Sequence, residues 1–498
     1  MSTTLVWGTI TVYVLIALVI AVLSRNGKQN SMTGYFLGDR KLNGFVSALS
    51  YSATTYSAFM LVGLAGLTYN GGVGAFGFEI IYFMGVSLVA IFGPRFWLVG
   101  KKYGYVTPSE MLGDRYKNKW VAVAIAVSSC IFLIPYSAVQ LTGIGYLLQG
   151  VTNDAIPFTT GVVLATVLAL VFSYIAGIRS VAWTDSLQSL LMIITSTIVV
   201  ILIINGLGGL SGFFNSLETN NPSSLAVPGN GFFNFWTFLG LTIPWFFFSI
   251  SNPQVSQRLF MPASLKSLRH MLLGFLIFGF IYTFVSVIWG FSASIMFPNL
   301  ENADLATPML LSSDLVPPVL GVLVMVGIMA AAISTIDSIL LTLSSLFSRD
   351  VYQNVKKGAT DKKQLLVGKL VIPVIAILAY LFAQLQLDLI AVLSVSSSAG
   401  LIVSVPAIIG AFFWKKGSAV GVLSSVIISS LLVITLELFS LKPLNLASGI
   451  WGLGVSTILY VGISLVTKAP TEKANEFIGY IKQEMKKKKR IDVKSKIS

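Results

Sequence analysis

The chain has 498 residues and a net charge of +14, yet only 10% of its residues are charged while 55% are hydrophobic, and its mean hydropathy is +0.84. A soluble domain carries about 25% charged residues, so this excess of apolar surface needs a bilayer. One cysteine, Cys130, excludes an intrachain disulfide, and one histidine, His270, leaves no transition-metal cluster and no base beside a nucleophile.

Each crossing of a bilayer takes about 20 apolar residues. Hydropathy predicts thirteen helical spans, at roughly 4–23, 43–69, 72–98, 120–149, 156–176, 181–205, 232–257, 271–296, 316–348, 365–385, 389–413, 418–440 and 447–467. The first follows no basic residue and reads as a retained helix rather than a secretory leader. The expected fold is therefore all-α and polytopic, a transmembrane unit over 1–467 followed by a basic tail over 468–498, with no soluble domain.

The basic residues sort across these spans. Arg25, Lys28, Arg40 and Lys41 fall in or beside the first gap, and Arg95, Lys101, Lys102, Arg115, Lys117 and Lys119 by the third. Arg179, then Arg258, Lys266 and Arg269, then Arg349 to Lys369, then Lys415 and Lys416 follow by alternate gaps, and Lys442 alone lies opposite. Cytoplasmic loops collect lysine and arginine, so the N-terminus is expected outside and the C-terminus inside an inner (plasma) membrane. The same sorting explains the net charge without nucleic acid. The tail run Lys486 to Arg490, with Ile478, Ile481 and Met485 nearby, reads as a solvated segment that reinforces topology, or else as an amphipathic helix on anionic headgroups.

Carboxylates stand in the spans at Glu79, Asp185 and Asp337, with Glu437 near the outer end of the twelfth. A buried ionised acid costs several kcal/mol unless it faces a partner or water. No lysine or arginine stands mid-span, so the expected partner is imported: a sodium ion, a proton or a cationic group on a substrate. A protonated or water-solvated acid at a helix end is the structural alternative. Around Asp337, positions 331, 334, 335 and 338 share a helical face, and Ser334, Thr335, Asp337 and Ser338 offer the oxygens that a hard cation requires. Serines in such helices also bond back to their own turn. In the second span, Ser50-Tyr51-Ser52-Ala53-Thr54-Thr55-Tyr56-Ser57 is rich in hydroxyls and easy to interrupt. Pro244 and Pro253 bracket a second expected break or kink in the seventh.

Gly34 to Arg40, Ala48 to Gly63, Ala182-Trp183-Thr184-Asp185-Ser186-Leu187-Gln188, Asn252 to Arg258, Ala331 to Ser338 and Trp414 to Gly417 together resemble the sodium/solute symporter family, over about residues 34 to 417. That family includes carriers of proline, sialic acid, pantothenate, monocarboxylates and glucose. The resemblance implies a LeuT-type inverted repeat, with 43–205 as the first repeat, 232–413 as the second, 4–23 as an extra N-terminal helix and 418–467 as two C-terminal helices. It implies Na+ as the coupling ion, held by the carbonyls of Ala53, Tyr56 and Ala331 and the hydroxyls of Ser334 and Thr335. A possible second sodium falls on Asp185, Asp337 and Ser338, although an acid at 337 is not usual and would also suit a proton.

Likeness to the proline carriers places Thr54, Thr55, Ser57, Phe78, Glu79, Tyr136, Trp245, Ser249 and Pro253 at the solute. Thr55 and Ser249 depart from those carriers, which have aspartate and tyrosine there. The expected function is thus not enzymatic but sodium-coupled import of a small organic solute, an amino acid such as proline or a small carboxylate, by a single copy in the lipid bilayer. Sialic acid, pantothenate or a sugar remain as alternative cargoes, and a transporter-like sensor or a channel as alternative classes. A channel would need a repeated pore motif and a sensor an output domain, and the sequence shows neither.

Overall fold

A computed structural model describes residues 1–23, 31–175, 178–356, 358–387 and 389–497. Arg25, Lys28 and Lys357, the end of the fifth expected span at 176, and the side chains of Arg179 and of 488–497 lie outside the described residues. The described chain is helical, with one isolated bridge between Leu42 and Pro262.

Every expected span falls on a helix. These are α1 (Thr3–Leu23), α2 (the pair Gly44–Thr55 and Phe59–Gly71), α3 (Gly74–Tyr103), α4 (Lys119–Val151), α5 (Phe158–Ile175), α6 (Ile178–Gly206) and α7 (Phe235–Ser251). They continue with α8 (Leu265–Met296), α9 (Pro318–Ser345), α10 (Asp361–Ala383), α11 (Ile390–Phe413), α12 (Ala419–Leu438) and α13 (Ser448–Val466). Among the described residues ten helices are individually long and apolar enough to cross a membrane, and the bent α2 makes eleven; α5 and α7 are shorter. Their outer faces carry Ile198, Ile277, Leu370 and Leu431 exposed, as a hydrocarbon solvent permits.

Both helices that begin the expected repeats are interrupted. The first half of α2 starts at Asn43, whose side chain accepts from the Val46 N–H at 2.9 Å, and ends where Tyr56 leaves helical geometry (φ −100°, ψ 72°). The chain resumes at an angle of 49°. In the seventh span α7 runs through Pro244 to Ser251, and the expected break falls between the two prolines. The break comes at Asn252 (φ −77°, ψ 115°), because only there is a new helix start capped: the Asn252 side chain accepts from the Gln254 N–H at 3.0 Å and Pro253 occupies the first helical position. The first half of α2 packs on α6 and α8, α7 on α3, and α9 on α4 and α6, so the two breaks and the middle of α9 share one buried region. Close approach is set by small residues. A Cβ on Gly85 would stand 2.1 Å from the Phe246 carbonyl oxygen, so α3 and α7 touch backbone to backbone.

Two of the segments that carry the family resemblance acquire plain structural roles. In Gly34 to Arg40 three successive residues take positive φ, which turns the chain so that Arg40 donates to the Gly100 and Tyr105 carbonyls, the latter at 2.7 Å. Gln188 donates to the Tyr13 hydroxyl at 3.1 Å and so fastens α1 to α6.

The solvated-tail expectation fails for the first turns of the tail, while Lys486 and Lys487 are exposed. Residues Thr471–Ile497 form a helix, α14, whose Ala474, Phe477, Ile478 and Ile481 are buried against the protein rather than facing lipid. Phe477 lies near the rings of Tyr103 and Phe412 at 5.9 and 5.8 Å, Lys473 pairs with Asp114 at 2.8 Å, and the Tyr103 hydroxyl donates to Glu476 at 2.7 Å. That hydrogen bond, helped by Lys473 and Lys102, holds the Glu476 carboxyl below the usual range. Apolar residues at 474, 477, 478 and 481 repeat at helical spacing, which is why the segment folds once it has a surface to cover.

Candidate functional site

The hydroxyl-rich half of α2 meets α9 across its small residues. Thr335 Oγ1 donates to its own turn at the Ala331 carbonyl (2.9 Å) and lies 3.2 Å from the Ala53 carbonyl. Three of the five residues expected around the first sodium are thereby within one hydroxyl's reach. The end of the helical run at Tyr56 leaves this stretch of α2 without the continuing ladder that would occupy its carbonyls. Ser334, one position earlier, turns to Asp185, to whose Oδ1 it donates. Tyr56 places its ring on Phe275, with centroids 5.0 Å apart.

The expectation that Asp185 lacks a protein cation is wrong. Arg258, in the short helical turn after the Asn252 break, is buried and brings an Nη2 to 3.6 Å from Asp185 Oδ2. The same guanidinium donates to Ser50 Oγ and, at 2.6 Å, to Ser338 Oγ, and Ser50 donates onward to Asp185 at 2.6 Å. The sequence placed Arg258 beside a cytoplasmic gap; the capped break carries it back into the protein. Asp337 makes no described hydrogen bond within this cluster, although it lies within electrostatic reach of Asp185; its Oδ1 accepts from Ser173 of α5 at 2.9 Å.

On the other side of the α2 break stands an aromatic box. Trp245 of α7 packs against Phe59 (4.6 Å), Phe248 (4.6 Å), Tyr82 (5.3 Å) and Phe78 (5.7 Å), and Tyr136 of α4 against Phe248 (5.7 Å). Glu79 is completely buried here. Trp245 Nε1 donates to its Oε2 at 3.3 Å, while Oε1 has no partner among the described residues. Thr54, Ser57, Tyr82 and Tyr136 have unpartnered buried hydroxyls, and both amide atoms of Gln140, one turn from Tyr136, are likewise unpartnered. Such a concentration of unsatisfied groups is costly in a dry protein interior and is suited to ordered water or a polar ligand. Pro253 is buried beside this region at the second break.

Two expected solute residues do not contribute free hydroxyls. Thr55 Oγ1 donates to the Tyr51 carbonyl at 2.8 Å, and Ser249 Oγ to the Gly85 carbonyl at 3.2 Å, the latter holding α7 to α3. Tyr82 and Gln140 were not anticipated. Their helical spacing was the available signal, since 82 follows 78 and 79, and 140 follows 136, by one turn.

Residues 35–429 match the sodium:solute symporter family. Among similar proteins are the sodium/pantothenate symporter of Haemophilus influenzae, 28% identical over 435 residues (86% of this chain, 89% of the relative), and the sodium/proline symporter of Staphylococcus aureus, 26% identical over 486 residues (93% and 92%). The fold matches a Na+-coupled sialic acid symporter in a substrate-bound outward-open state, with TM-score 0.78 and 21% identity over 93% of this chain and 98% of that one. It also matches Mhp1, a nucleobase-cation-symport-1 family transporter, with TM-score 0.56 and 12% identity over 91% and 99%.

Proposed function

The chain belongs to the sodium:solute symporter family and is a sodium-coupled membrane transporter with the LeuT-type fold, not an enzyme; from that premise we propose that its cargo is a small zwitterionic amino acid such as proline. The supporting observation is Glu79. A buried carboxylate with one oxygen tied to Trp245 and the other unpartnered suits an ammonium or secondary ammonium group, which removes the cost of the bare charge. The aromatic box of Trp245, Phe78, Phe59 and Phe248 suits an apolar ring or chain, and the cargo carboxylate suits the Thr54 and Ser57 hydroxyls and the N–H groups freed at the break.

The ion reading is one sodium between α2 and α9, held by the Ala53, Tyr56 and Ala331 carbonyls with the Thr335 and Ser334 hydroxyls. It spans a helix on each side, so its binding favours the arrangement in which α2 and α9 lie together. The chain sits in the plasma membrane as a single functional copy, N-terminus outside and C-terminus cytoplasmic, with 43–205 and 232–413 as the paired repeats.

A second cargo is favoured by one observation of its own. The free Gln140 amide and the Tyr82 and Tyr136 hydroxyls would also suit a carboxylate bearing amide and hydroxyl groups, such as pantothenate, the solute named for one relative. Sodium-driven uptake into proteoliposomes, run across amino acids, pantothenate, monocarboxylates, sialic acid and sugars, decides between them. Uptake of an anion with no amino acid uptake would reject the zwitterion reading.

A further inference from the structure

We propose that a cavity where α4 begins and α9 ends is a second binding site, separate from the transported solute's, for a small zwitterion carrying an ammonium and a carboxylate. The cavity has a volume of about 320 Å³ and is walled by the short helix Pro108–Arg115, the turn into α4 and the π-helical stretch Leu346–Tyr352 that continues α9. None of the residues assigned to the ion or the solute lines it. Most of its charges are spent. Arg349 donates to Glu110 at 2.8 Å, Lys473 pairs with Asp114 at 2.8 Å, and Lys119 donates to the Asn354 carbonyl at 3.0 Å. Two are not. Asp350 is 1% exposed and accepts from the Thr107 hydroxyl at 2.7 Å through Oδ2, while its buried Oδ1 has no partner among the described residues. Lys117, exposed at the rim, makes no ion pair or side-chain hydrogen bond among the described residues.

A carboxylate oxygen buried without a donor is costly, and an ammonium supplies both the donor and the opposite charge. Among the described residues no group of acids is arranged to hold a metal ion. The acids Glu110, Asp114 and Asp350 are balanced in the lining by Lys117, Lys119 and Arg349. A bare cation would upset that balance and leave Lys117 unmatched, whereas a zwitterion sets its ammonium on Asp350 and its carboxylate toward Lys117. Arg349 and Asp350 are neighbours in sequence, yet both reach the 107–110 segment; π-helical geometry of this kind is found mostly at functional sites. The cavity also lies at a junction. α3 packs on α7 and α8, while α4 packs on α9, α10 and α11, and the segment that joins α3 to α4 forms one wall. A ligand that ties this segment to the end of α9 holds the two groups of helices in one relation, so the site regulates the cycle rather than passing cargo.

The site needs no particular cargo; only its placement on the cytoplasmic side rests on the proposed orientation, which reporter fusions test separately. The binding experiment uses radiolabelled glycine on the purified full chain in sodium-free detergent, with ethylammonium and propionate as competitors. Wild type should bind glycine, and ethylammonium should compete while propionate does not. Asp350→Asn keeps an acceptor for Thr107 and should weaken binding by about 10- to 150-fold, the worth of a charged hydrogen bond. Lys117→Gln, at an exposed position that leaves the fold intact, should weaken glycine by about 2- to 5-fold and leave ethylammonium unchanged. Glu79→Gln, which alters only the proposed solute site, should leave this binding as in wild type. No glycine binding in wild type would mean that the cavity holds only water and would overturn the inference. So would unchanged affinity in monodisperse Asp350→Asn, or in Lys117→Gln should the first variant misfold, or competition by propionate as strong as by ethylammonium. Glycine lost in Glu79→Gln but kept in Asp350→Asn would place the binding at the solute site, overturning this inference while supporting the zwitterionic cargo. Failure of amino acid uptake would do the reverse.

Discussion

Thr335→Ala is the sharpest test of the ion assignment, because this hydroxyl alone reaches both the Ala331 carbonyl at 2.9 Å and the Ala53 carbonyl at 3.2 Å. With its proton directed to Ala331, its lone pairs are available to a cation lying between the two helices. A hydrogen-bond-strength contact to a charged group contributes about 1.5–3 kcal/mol, so its loss should raise the sodium concentration for half-maximal uptake by about 10- to 150-fold. The substitution also removes a buried neutral hydrogen bond, which costs about 0.5–1.5 kcal/mol of stability; a thermal melt without sodium measures that part separately. Thr335→Ser keeps the oxygen and should stay close to wild type. Binding reciprocity requires that apparent solute affinity at fixed sodium fall as well. The assay is initial uptake into proteoliposomes against sodium concentration. A half-saturating sodium within threefold of wild type, in protein that melts normally, would refute the assignment.

Glu79→Gln keeps the acceptor for Trp245 but removes the charge, and should weaken uptake of an amino acid by about 10- to 100-fold, the worth of one charged hydrogen bond; unchanged affinity would mean the cargo carries no cation there. Phe477→Ala empties a fully buried site between Tyr103 and Phe412 and should cost about 3–5 kcal/mol of docking. Hydrogen exchange at amides 471–481 should rise correspondingly, and slow exchange in the variant would count against a docked helix. A reporter fused at the C-terminal end should be cytoplasmic and one placed within 206–231 external; the reverse result would remove the orientation. Gln254→Ala cuts the side-chain link from the second break to the Thr54 carbonyl and should reduce the gain in solute affinity that sodium produces, while sodium binding measured alone persists. An undiminished gain would show that the link carries no coupling.

The helices and their order were readable because each span satisfies its backbone internally and must be apolar. The first break was readable for a related reason: a run of hydroxyls from Ser50 to Ser57 offers the backbone alternative partners. The Ala331–Thr335 face followed from spacing alone. What escaped was decided by tertiary placement. Arg258 lies beside a cytoplasmic gap in sequence, and only the capped turn at Asn252 folds it in to Asp185. The prolines at 244 and 253 bracketed the second break without fixing its residue: a lone proline removes one backbone donor, whereas the stop at 252 comes with its own replacement cap. The tail was judged by its charge run, while its apolar positions 474, 477, 478 and 481 found a surface contributed by residues 103, 114 and 412, remote in sequence.

Ion and solute are expected to couple because adjacent residues of one strand of backbone face different partners. The Ala53 carbonyl looks toward Thr335 on α9, and the next carbonyl, that of Thr54, accepts from Gln254 at the second break. The Thr54 side chain belongs to the unpartnered group around the aromatic box. An ion that fixes the distance from Ala53 to α9 therefore also fixes where Thr54 stands relative to Trp245 and Glu79. A solute lodged in the box constrains the same peptide from the opposite side. A continuous helix would have its carbonyls committed to its own ladder at this point, leaving few to share between ion and neighbouring helix; the break at Tyr56 is what frees them. With the proposed ion and solute sites, the hydroxyl-rich stretch that weakens the helix would thus also let one short segment report sodium to the solute site.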